Sequence, residues 1–160
     1  GGRVAVTASS DEKLRLAKKL GADHTIHYKN EAVQAYVGRI TRGRGFDVTF
    51  DTVGGTNLEK SFEAAARCGR VAAIAARGRA DLTLLHMKGL TLHAVFMLIP
   101  MLHGAGREHH GEILNTLARL VDEGRVRPLI DEERFSFRDV AAAHRKLELG
   151  RAVGKVVLTR

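Results

Sequence analysis

The sequence predicts an α/β chain built around a parallel, doubly wound sheet, and two observations carry that prediction. Short runs of apolar and β-branched residues alternate with longer segments in which apolar residues recur at helical spacing. The connections between these segments are short and contain glycine, as expected where strands and helices follow one another in βαβ units. Such alternation favours parallel strands joined through crossover helices.

The predicted strands share a short apolar core of β-branched residues. They cover residues 3–8, 24–27, 46–51, 70–76, 90–97 and 153–159. The predicted helices show an apolar stripe at helical spacing. They cover residues 11–20, 31–42, 58–66, 108–123 and 137–149. Ser10 and Asn30 are placed as N-caps, and Ser136 with Asp139 predicts a capping box. Gly21 and Gly69 follow two of the helices as stop signals.

The composition fits a folded domain with a substantial core. The chain has 160 residues, of which 44% are hydrophobic, and only two prolines. No apolar run approaches the roughly 18–20 residues of a membrane span, so we predict no membrane partner. The single cysteine, Cys68, cannot form an internal disulfide, and no signal segment is recognisable. These features predict a cytoplasmic location.

The net charge of +8 and the pI of about 10.1 raise the question of nucleic-acid binding. Nucleic-acid surfaces cluster Lys and Arg on one face or interleave them with aromatic residues. Here the arginines are scattered along the chain, and only 5% of the residues are aromatic. We therefore predict no nucleic-acid partner and expect the charge to face an acidic protein surface.

Candidate binding residues lie where the predicted strands end, because ligands of open parallel sheets bind beyond the carboxyl ends of the strands. Each of these residues alone is better explained by a turn or by the core, but together on one edge they predict a cofactor site. They are Ser9, Ser10, Lys13, Tyr28, Thr52, Val53, Ile74, Ala75, Ala76, Arg77, Val95, Phe96 and Met97.

The corner after the first predicted strand favours NADP over NAD. A carboxylate at this place in a dinucleotide-binding unit accepts hydrogen bonds from the ribose 2′-OH, whereas hydroxyls and a cation suit a 2′-phosphate. Here Ser9 and Ser10 end the strand, and Lys13 follows in the first helical turn. Asp11 is the alternative, as an acidic ribose reader, but it lies three residues beyond the strand and suits the helix amino end.

No complete catalytic or metal centre is recognisable in the sequence. His103, His109 and His110 are close together, but no cysteine or carboxylate accompanies them at ligand spacing. No histidine is placed as a general base for a serine or for Cys68. We therefore predict no catalytic residue and no zinc site among the residues present.

Five ordered motifs resemble the cofactor half of the medium-chain dehydrogenase/reductase superfamily. They are ASSDEKL at 8–14, LGADH at 20–24, FDVTFDTVGG at 46–55, GRV at 69–71 and VGKVVL at 153–158. The resemblance is best to the quinone oxidoreductase-like branch of the zinc-type alcohol dehydrogenases, and it covers nearly the whole chain.

The resemblance implies a Rossmann-like fold that lacks its first strand and helix. It implies a partial dinucleotide-binding domain over 1–126 and, over 127–160, a segment that packs on a catalytic domain. The absent strand would be central, between strands 3–8 and 46–51. Three arrangements are then possible: the two strands pair directly, a strand of another chain lies between them, or the chain is a piece of a larger folded protein. We favour the last of these. Without the upstream G-x-G-x-x-G turn, we expect the 160-residue chain to be inactive and to bind NADPH weakly.

The resemblance also implies roles for the candidate residues. Lys13 and Tyr28, with Ser9 beside them, match contacts to the 2′-phosphate and adenosine side of NADPH. Thr52 and Val53 match the segment under the adenosine and ribose, whereas residues 74–77 and 95–97 match the lining of the nicotinamide. Some relatives place an asparagine before the final Gly-Lys, where this chain has Arg151-Ala152-Val153.

The implied function is hydride transfer from NADPH to a quinone, an enone or a related carbonyl compound. An NAD(P)-dependent zinc-type alcohol dehydrogenase is the alternative, and a non-catalytic association domain is an alternative of another class. The expected partners are a small-molecule substrate and a second copy of the chain, joined through strand 90–97 in a symmetric dimer.

Overall fold

The computed structural model describes residues 1–160, which divide into two compact units, Gly1–Ile99 and Pro100–Arg160. The first unit alternates strands and helices. They are β1 (Ala5–Ala8), α1 (Asp11–Lys19), β2 (His24–His27), α2 (Val33–Thr41), β3 (Phe46–Asp51), α3 (Thr56–Ala64), β4 (Ala65–Ala73), α4 (Thr83–Met87) and β5 (Thr91–Ala94). The predicted domain boundary at residue 126 stays a prediction.

The remaining elements run from the end of the first unit to the end of the chain. They are α5 (Ile99–His103), α6 (Arg107–Asp122), β6 (Phe135–Ser136), α7 (Val140–Glu148) and β7 (Leu158–Thr159). A single 3₁₀ turn over Phe137–Asp139 leads into α7. None of the helices is both long and apolar enough to cross a membrane.

All strand pairs are parallel, which confirms the predicted α/β class. In the first unit β1 pairs with β2, while β3, β4 and β5 form a separate sheet in that order. The strands β1 and β3 are not paired with each other. Direct pairing, one of the three arrangements open to these two strands, therefore does not occur.

A cluster of buried side chains connects the two sheets of the first unit. Ile26 of β2 packs with Tyr36 and Val37 of α2, and Ala5 and Phe46 lie against them. Burying a side chain of this size contributes about 1.5–3 kcal/mol. Because Ala5 and Phe46 begin β1 and β3, the amino ends of both sheets lie toward this cluster.

Lys88 closes the carboxyl end of α3. Its Nζ donates to the carbonyl oxygens of Phe62, Glu63 and Ala65 at 3.1, 2.7 and 2.9 Å. The last carbonyls of a helix lack partners inside the helix, and a cation is favourable at that negative end. Burial lowers the pKa of Lys88, while the charge of Glu63 acts in the opposite direction.

The strand predicted at 90–97 is shorter in the structure, where β5 ends at Ala94. Ala94 pairs with Ala73, the last residue of β4, and the amide of Val95 donates to the Ala73 carbonyl at 2.8 Å. Beyond this point β4 offers no further ladder positions. The segment 95–97 therefore leaves the sheet, and the prediction that it is strand was wrong.

The boundary between α3 and β4 also differs from the prediction. The helix predicted over 58–66 ends at Ala64, and β4 begins directly at Ala65 and ends at Ala73, instead of covering 70–76. A register shift separates the Phe46–Ala65 pair from the Val48–Arg70 pair. The bulge that causes this shift includes Cys68, which has a φ of +58°.

The predicted caps had mixed outcomes. Ser10 is confirmed, since its Oγ accepts from the amide of Lys13 at 3.4 Å. Asn30 is not a cap, because α2 begins after Ala32 and the Asn30 amide donates to the carbonyl of His27 in a turn. Ser136 donates to the Asp139 carboxylate at 2.6 Å and caps no backbone amide.

The terminal strand predicted over 153–159 is reduced to β7, with a single bridge between Lys155 and Ile130 before it. Gly154 has a φ of +94°, and a Cβ there would lie 2.7 Å from the Leu129 side chain. The positive φ of Gly154 interrupts the extended run that the apolar pattern predicts, and the close approach of Leu129 leaves no room for a side chain there.

Asp131 is the polar centre of the second unit. Its buried carboxylate accepts hydrogen bonds from Lys146 Nζ at 2.5 Å and from the amides of Val153 and Glu133 at 2.8 and 2.9 Å. The hydrogen bond from Lys146, followed by those from Val153 and Glu133, lowers the pKa of Asp131 to about 2. Burial acts in the opposite direction and is outweighed.

The second unit is therefore expected to lose stability as the pH falls from about 4 toward about 2. The pKa of Asp131 lies near 3.8 in the unfolded chain and about 2 in the folded one, so acid protonates the unfolded form first. Acid denaturation followed by circular dichroism measures this loss. In Asp131→Asn we expect a less stable protein with a weaker pH dependence over this range. The same pH dependence in Asp131→Asn as in the wild type, with Asp122→Asn as the exposed control, would contradict the assignment.

Candidate functional site

The ends of β1 and β2 form one corner at the carboxyl edge of the first sheet. Ala8 and His27 are register partners, and the amide of Tyr28 donates to the Ala8 carbonyl at 3.2 Å. Ser9 and Tyr28 therefore leave adjacent strands side by side. Ser10 caps α1, so Lys13 lies in the helical turn that begins at the same corner.

Lys13 has a free side chain at this corner. Its backbone amide is held by Ser10, but its side chain is exposed and takes part in no ion pair of the structure. Tyr28 is half exposed. Asp11 and Glu12 occupy the first turn of α1, where their charges suit the positive helix end. Two hydroxyls, a phenol and an ammonium group are thus available to an anion.

A turn over residues 52–55 follows β3 and is organised by Asp51. The Asp51 carboxylate accepts from the amides of Val53 and Gly54, both at 2.8 Å, and from the Ser61 hydroxyl at 3.1 Å. Burial is the largest influence on this carboxyl and raises its pKa. The hydrogen bonds from Gly54, Val53, Asn57 and Ser61 together outweigh burial, so the pKa of Asp51 is lowered overall.

The turn 52–55 lies against the segment 74–77, which follows β4. A Cβ on Gly54 would overlap the carbonyl oxygen of Ala75 and lie 2.8 Å from its carbonyl carbon. The amide of Ile74 donates to the carbonyl of Asp51 at 3.0 Å. The two segments that the sequence predicts for cofactor binding are therefore in direct contact.

Apolar side chains are exposed at this edge. The predicted residues after β3, β4 and β5 include Val53, Ile74, Val95, Phe96 and Met97, with exposed fractions of 71%, 50%, 46%, 53% and 65%. Residues 95–97 begin next to 74–77, because Val95 donates to the carbonyl of Ala73, which precedes Ile74. Clustered exposed apolar groups at a strand-end edge are typical of a binding surface.

The structure places the candidate residues in two groups. Ser9, Ser10, Lys13 and Tyr28 lie at the end of the β1–β2 sheet, and the groups 52–53, 74–77 and 95–97 lie at the end of the β3–β4–β5 sheet. Both groups lie at carboxyl ends of strands, as predicted. No three His, Cys, Asp or Glu side chains form a group that could hold a metal ion.

A cavity of about 630 Å³ lies at the other end of the strands. It is lined by Gln34, Val37, Gly43, Arg44, Gly45, Glu63, Ala65, Leu84 and Lys88. Its two cations already have partners, because Lys88 binds three carbonyls and Arg44 pairs with Asp47. None of the predicted cofactor residues lines it. We therefore place the candidate site at the carboxyl ends of the strands and not in this cavity.

Two residues of the edge were not among the predicted site residues, namely Asp51 and Ser61. Asp51 stands directly before a Thr-Val-Gly-Gly turn, and an aspartate that bonds to amides two and three residues later is a known turn signal. That signal was available in the sequence. Ser61 offered none, because its position against Asp51 depends on how α3 packs on β3.

Comparison with known proteins gives one family. A family model described as zinc-binding dehydrogenase matches residues 20–158. A 2-haloacrylate reductase from Burkholderia sp. is 32% identical over 162 residues, covering 99% of this chain and 48% of the reductase.

Solved structures agree with this match. An alcohol dehydrogenase superfamily protein from Novosphingobium aromaticivorans has a TM-score of 0.93 at 33% identity, covering 100% of this chain and 49% of that protein. The mycobacterial protein Rv1454c, solved with NADPH, has a TM-score of 0.80 at 26% identity, covering 99% of this chain and 50% of that protein. The chain spans about half the length of these relatives.

Proposed function

Because the chain belongs to the zinc-binding dehydrogenase family of the medium-chain dehydrogenase/reductase superfamily, we propose that it is the cofactor-binding part of an NADPH-dependent oxidoreductase. The proposed reaction transfers a hydride from the nicotinamide to a quinone, an enone or a related carbonyl compound. One observation carries the proposal: hydroxyl and ammonium groups at one strand-end corner accompany exposed apolar segments at the other strand ends. The similar 2-haloacrylate reductase supports a reductase.

The corner after β1 is proposed to hold the 2′-phosphate. The hydroxyls of Ser9 and Ser10 can donate to phosphate oxygens, and the free ammonium group of Lys13 supplies a charge-assisted hydrogen bond. Tyr28, half exposed on the adjacent strand end, offers its ring and its phenol to the adenosine side. The NADPH complex of the similar mycobacterial protein supports this cofactor.

The ends of β3, β4 and β5 are proposed to hold the rest of the cofactor. Thr52 and Val53 would lie under the ribose, and residues 74–77 with 95–97 would line the nicotinamide. The bound cofactor supplies the hydride chemistry. The chain would position the cofactor and exclude water from the nicotinamide, through apolar side chains such as Ile74 and Phe96 that are exposed in the free chain.

The residues of this chain do not fit a zinc centre. His103, His109 and His110 belong to no group of three side chains that could hold a metal ion, and His109 lies 3.3 Å from the carboxylate of Glu112. We therefore assign zinc no role in this chain.

The cytoplasmic location stays a prediction from the lone cysteine, Cys68, which is free and exposed.

The test is a turnover assay on the protein at its natural length. NADPH consumption is followed with a benzoquinone, with but-3-en-2-one and with 2-chloroacrylate, and NADP⁺ reduction is followed with a primary alcohol. Consumption of NADPH with at least one acceptor supports the proposal. Turnover with the alcohol alone supports the zinc-type alcohol dehydrogenase alternative. Absence of turnover together with absence of cofactor binding supports an association domain.

We also propose that two copies of the protein pair through β5. This strand pairs only with β4, so its other edge is free, and an apolar exposed run over residues 95–102 follows it. A free strand edge is a template for pairing with another chain. Light scattering at micromolar concentration should give a dimer, and His93→Lys, which adds a charge to β5, should shift it toward monomer. A wild-type monomer contradicts this proposal.

A further inference from the structure

Asp51 is a buried anion without a cation. Its side chain is 2% exposed, and none of the ion pairs of the structure includes it. An unpaired buried carboxylate is costly unless hydrogen-bond donors surround it. Here the donors are the amides of Val53 and Gly54 and the hydroxyl of Ser61. The fold therefore retains a carboxylate whose burial is energetically unfavourable, and it does so at the strand end that borders the proposed cofactor site.

The bonds of Asp51 connect three segments of the chain. Asp51 Oδ1 accepts hydrogen bonds from the amides of Val53 and Gly54 in the turn 52–55, and Oδ2 accepts one from the hydroxyl of Ser61 in α3. Its main-chain oxygen receives the amide of Ile74 at 3.0 Å. One residue thus ties the turn after β3 both to a helix and to the segment after β4.

The arrangement has little tolerance for displacement. Gly54 approaches Ala75 so closely that a Cβ at Gly54 would overlap the Ala75 carbonyl. A small movement of the turn therefore either opens the contact between 52–55 and 74–77 or forces both segments to move. Both segments belong to the proposed cofactor surface.

We propose that Asp51 and Ser61 are a positioning pair that holds the turn 52–55 against 74–77 and thereby sets the affinity for the nicotinamide cofactor. The inference rests on the proposed function, since it assigns the pair a role at that same edge. Neither residue touches the cofactor in this account. The carboxylate acts through the two amides that it fixes.

Four variants of the natural-length protein test the proposal. In Asp51→Ala we expect the Kd for NADPH to rise about tenfold or more, because the amides of Val53 and Gly54 lose the carboxylate oxygen that accepts from both. In Asp51→Asn the side-chain oxygen still accepts from Val53 and Gly54, so the Kd should stay within about threefold of wild type. Ser61→Ala should lie between them. Val37→Ala, in the core away from this edge, should lower the melting temperature and leave the Kd unchanged.

The measurements are Kd by NADPH fluorescence, thermal melting, and hydrogen exchange at the Gly54 amide. A Kd near the wild-type value in Asp51→Asn supports positioning if Asp51→Asn and Asp51→Ala melt at the same temperature. Faster exchange at the Gly54 amide in Ser61→Ala also supports it. NADPH binding of wild-type strength in Asp51→Ala overturns the proposal while leaving the proposed function intact. If Asp51→Ala does not fold, an unchanged Kd in Ser61→Ala overturns it. A wild type that binds neither NADPH nor NADH overturns the proposed function itself, before any variant is compared.

Discussion

Replacement of Lys13 by alanine should raise the Kd for NADPH about 10- to 100-fold and change the Kd for NADH less than about twofold. Lys13 lies in the first turn of α1, beside Ser9 and Ser10, with an exposed side chain that pairs with no carboxylate. A charge-assisted hydrogen bond to a phosphate contributes about 1.5–3 kcal/mol, and only NADPH carries the 2′-phosphate. Isothermal titration calorimetry with each cofactor measures both values.

Lys19→Ala is the matched control for this prediction. Lys19 is an exposed lysine in the last turn of the same helix, so its removal changes the net charge equally without touching the corner. We expect it to leave both affinities unchanged. An equal loss of NADPH and NADH affinity in Lys13→Ala would refute the 2′-phosphate role. A selective loss of NADH affinity in Asp11→Asn would instead identify an NAD site.

Replacement of Gly54 by alanine should destabilise the protein by about 3 kcal/mol or more and abolish tight NADPH binding. Gly54 has a φ of +72°, which is unfavourable for any residue with a Cβ. The added methyl group would also overlap the carbonyl oxygen of Ala75, a backbone atom that cannot rotate away. Urea denaturation gives the stability change, and NADPH fluorescence gives the affinity.

Gly78→Ala separates conformational strain from steric overlap. Gly78 has a φ of +101°, but a Cβ there would have no atom within 4 Å. We expect this variant to lose only about 1–2 kcal/mol, the cost of the backbone conformation alone. Equal losses at the two glycines would show that the turn 52–55 can move away from 74–77. The positioning role of Asp51 would then lack its structural basis.

The positions of the candidate residues could be predicted because they depend on local signals. The bounds predicted for β2 and β3 are confirmed, since each is a short segment with β-branched residues that is followed by a turn. The Ser10 cap is likewise a local interaction. Strand ends in a parallel sheet fall on one edge, so the correctly predicted carboxyl ends of β1, β2 and β3 were enough to place those candidates at the edge, although β1 begins at Ala5 and not at residue 3.

Other features depend on partners that a single segment does not reveal. The strand at β5 ends at Ala94 because β4 ends at Ala73, although the apolar pattern of β5 continues to residue 97. The early start of β4 depends on a bulge at Cys68. The Asp51–Ser61 bond joins residues ten positions apart, through the packing of α3 on β3. Tertiary contacts set these features, and the local pattern does not contain them.

Hydrogen–deuterium exchange of the natural-length protein, measured with and without NADPH, tests the central claim that the carboxyl edge of the strands holds the cofactor. We expect protection in peptides that contain residues 8–13, 28, 52–55 and 74–77. Peptides at the opposite cavity, over 34–45 and 84–88, should exchange as in the free protein. Protection confined to 34–45 and 84–88, or none at the strand-end segments despite NADPH binding, would contradict the account.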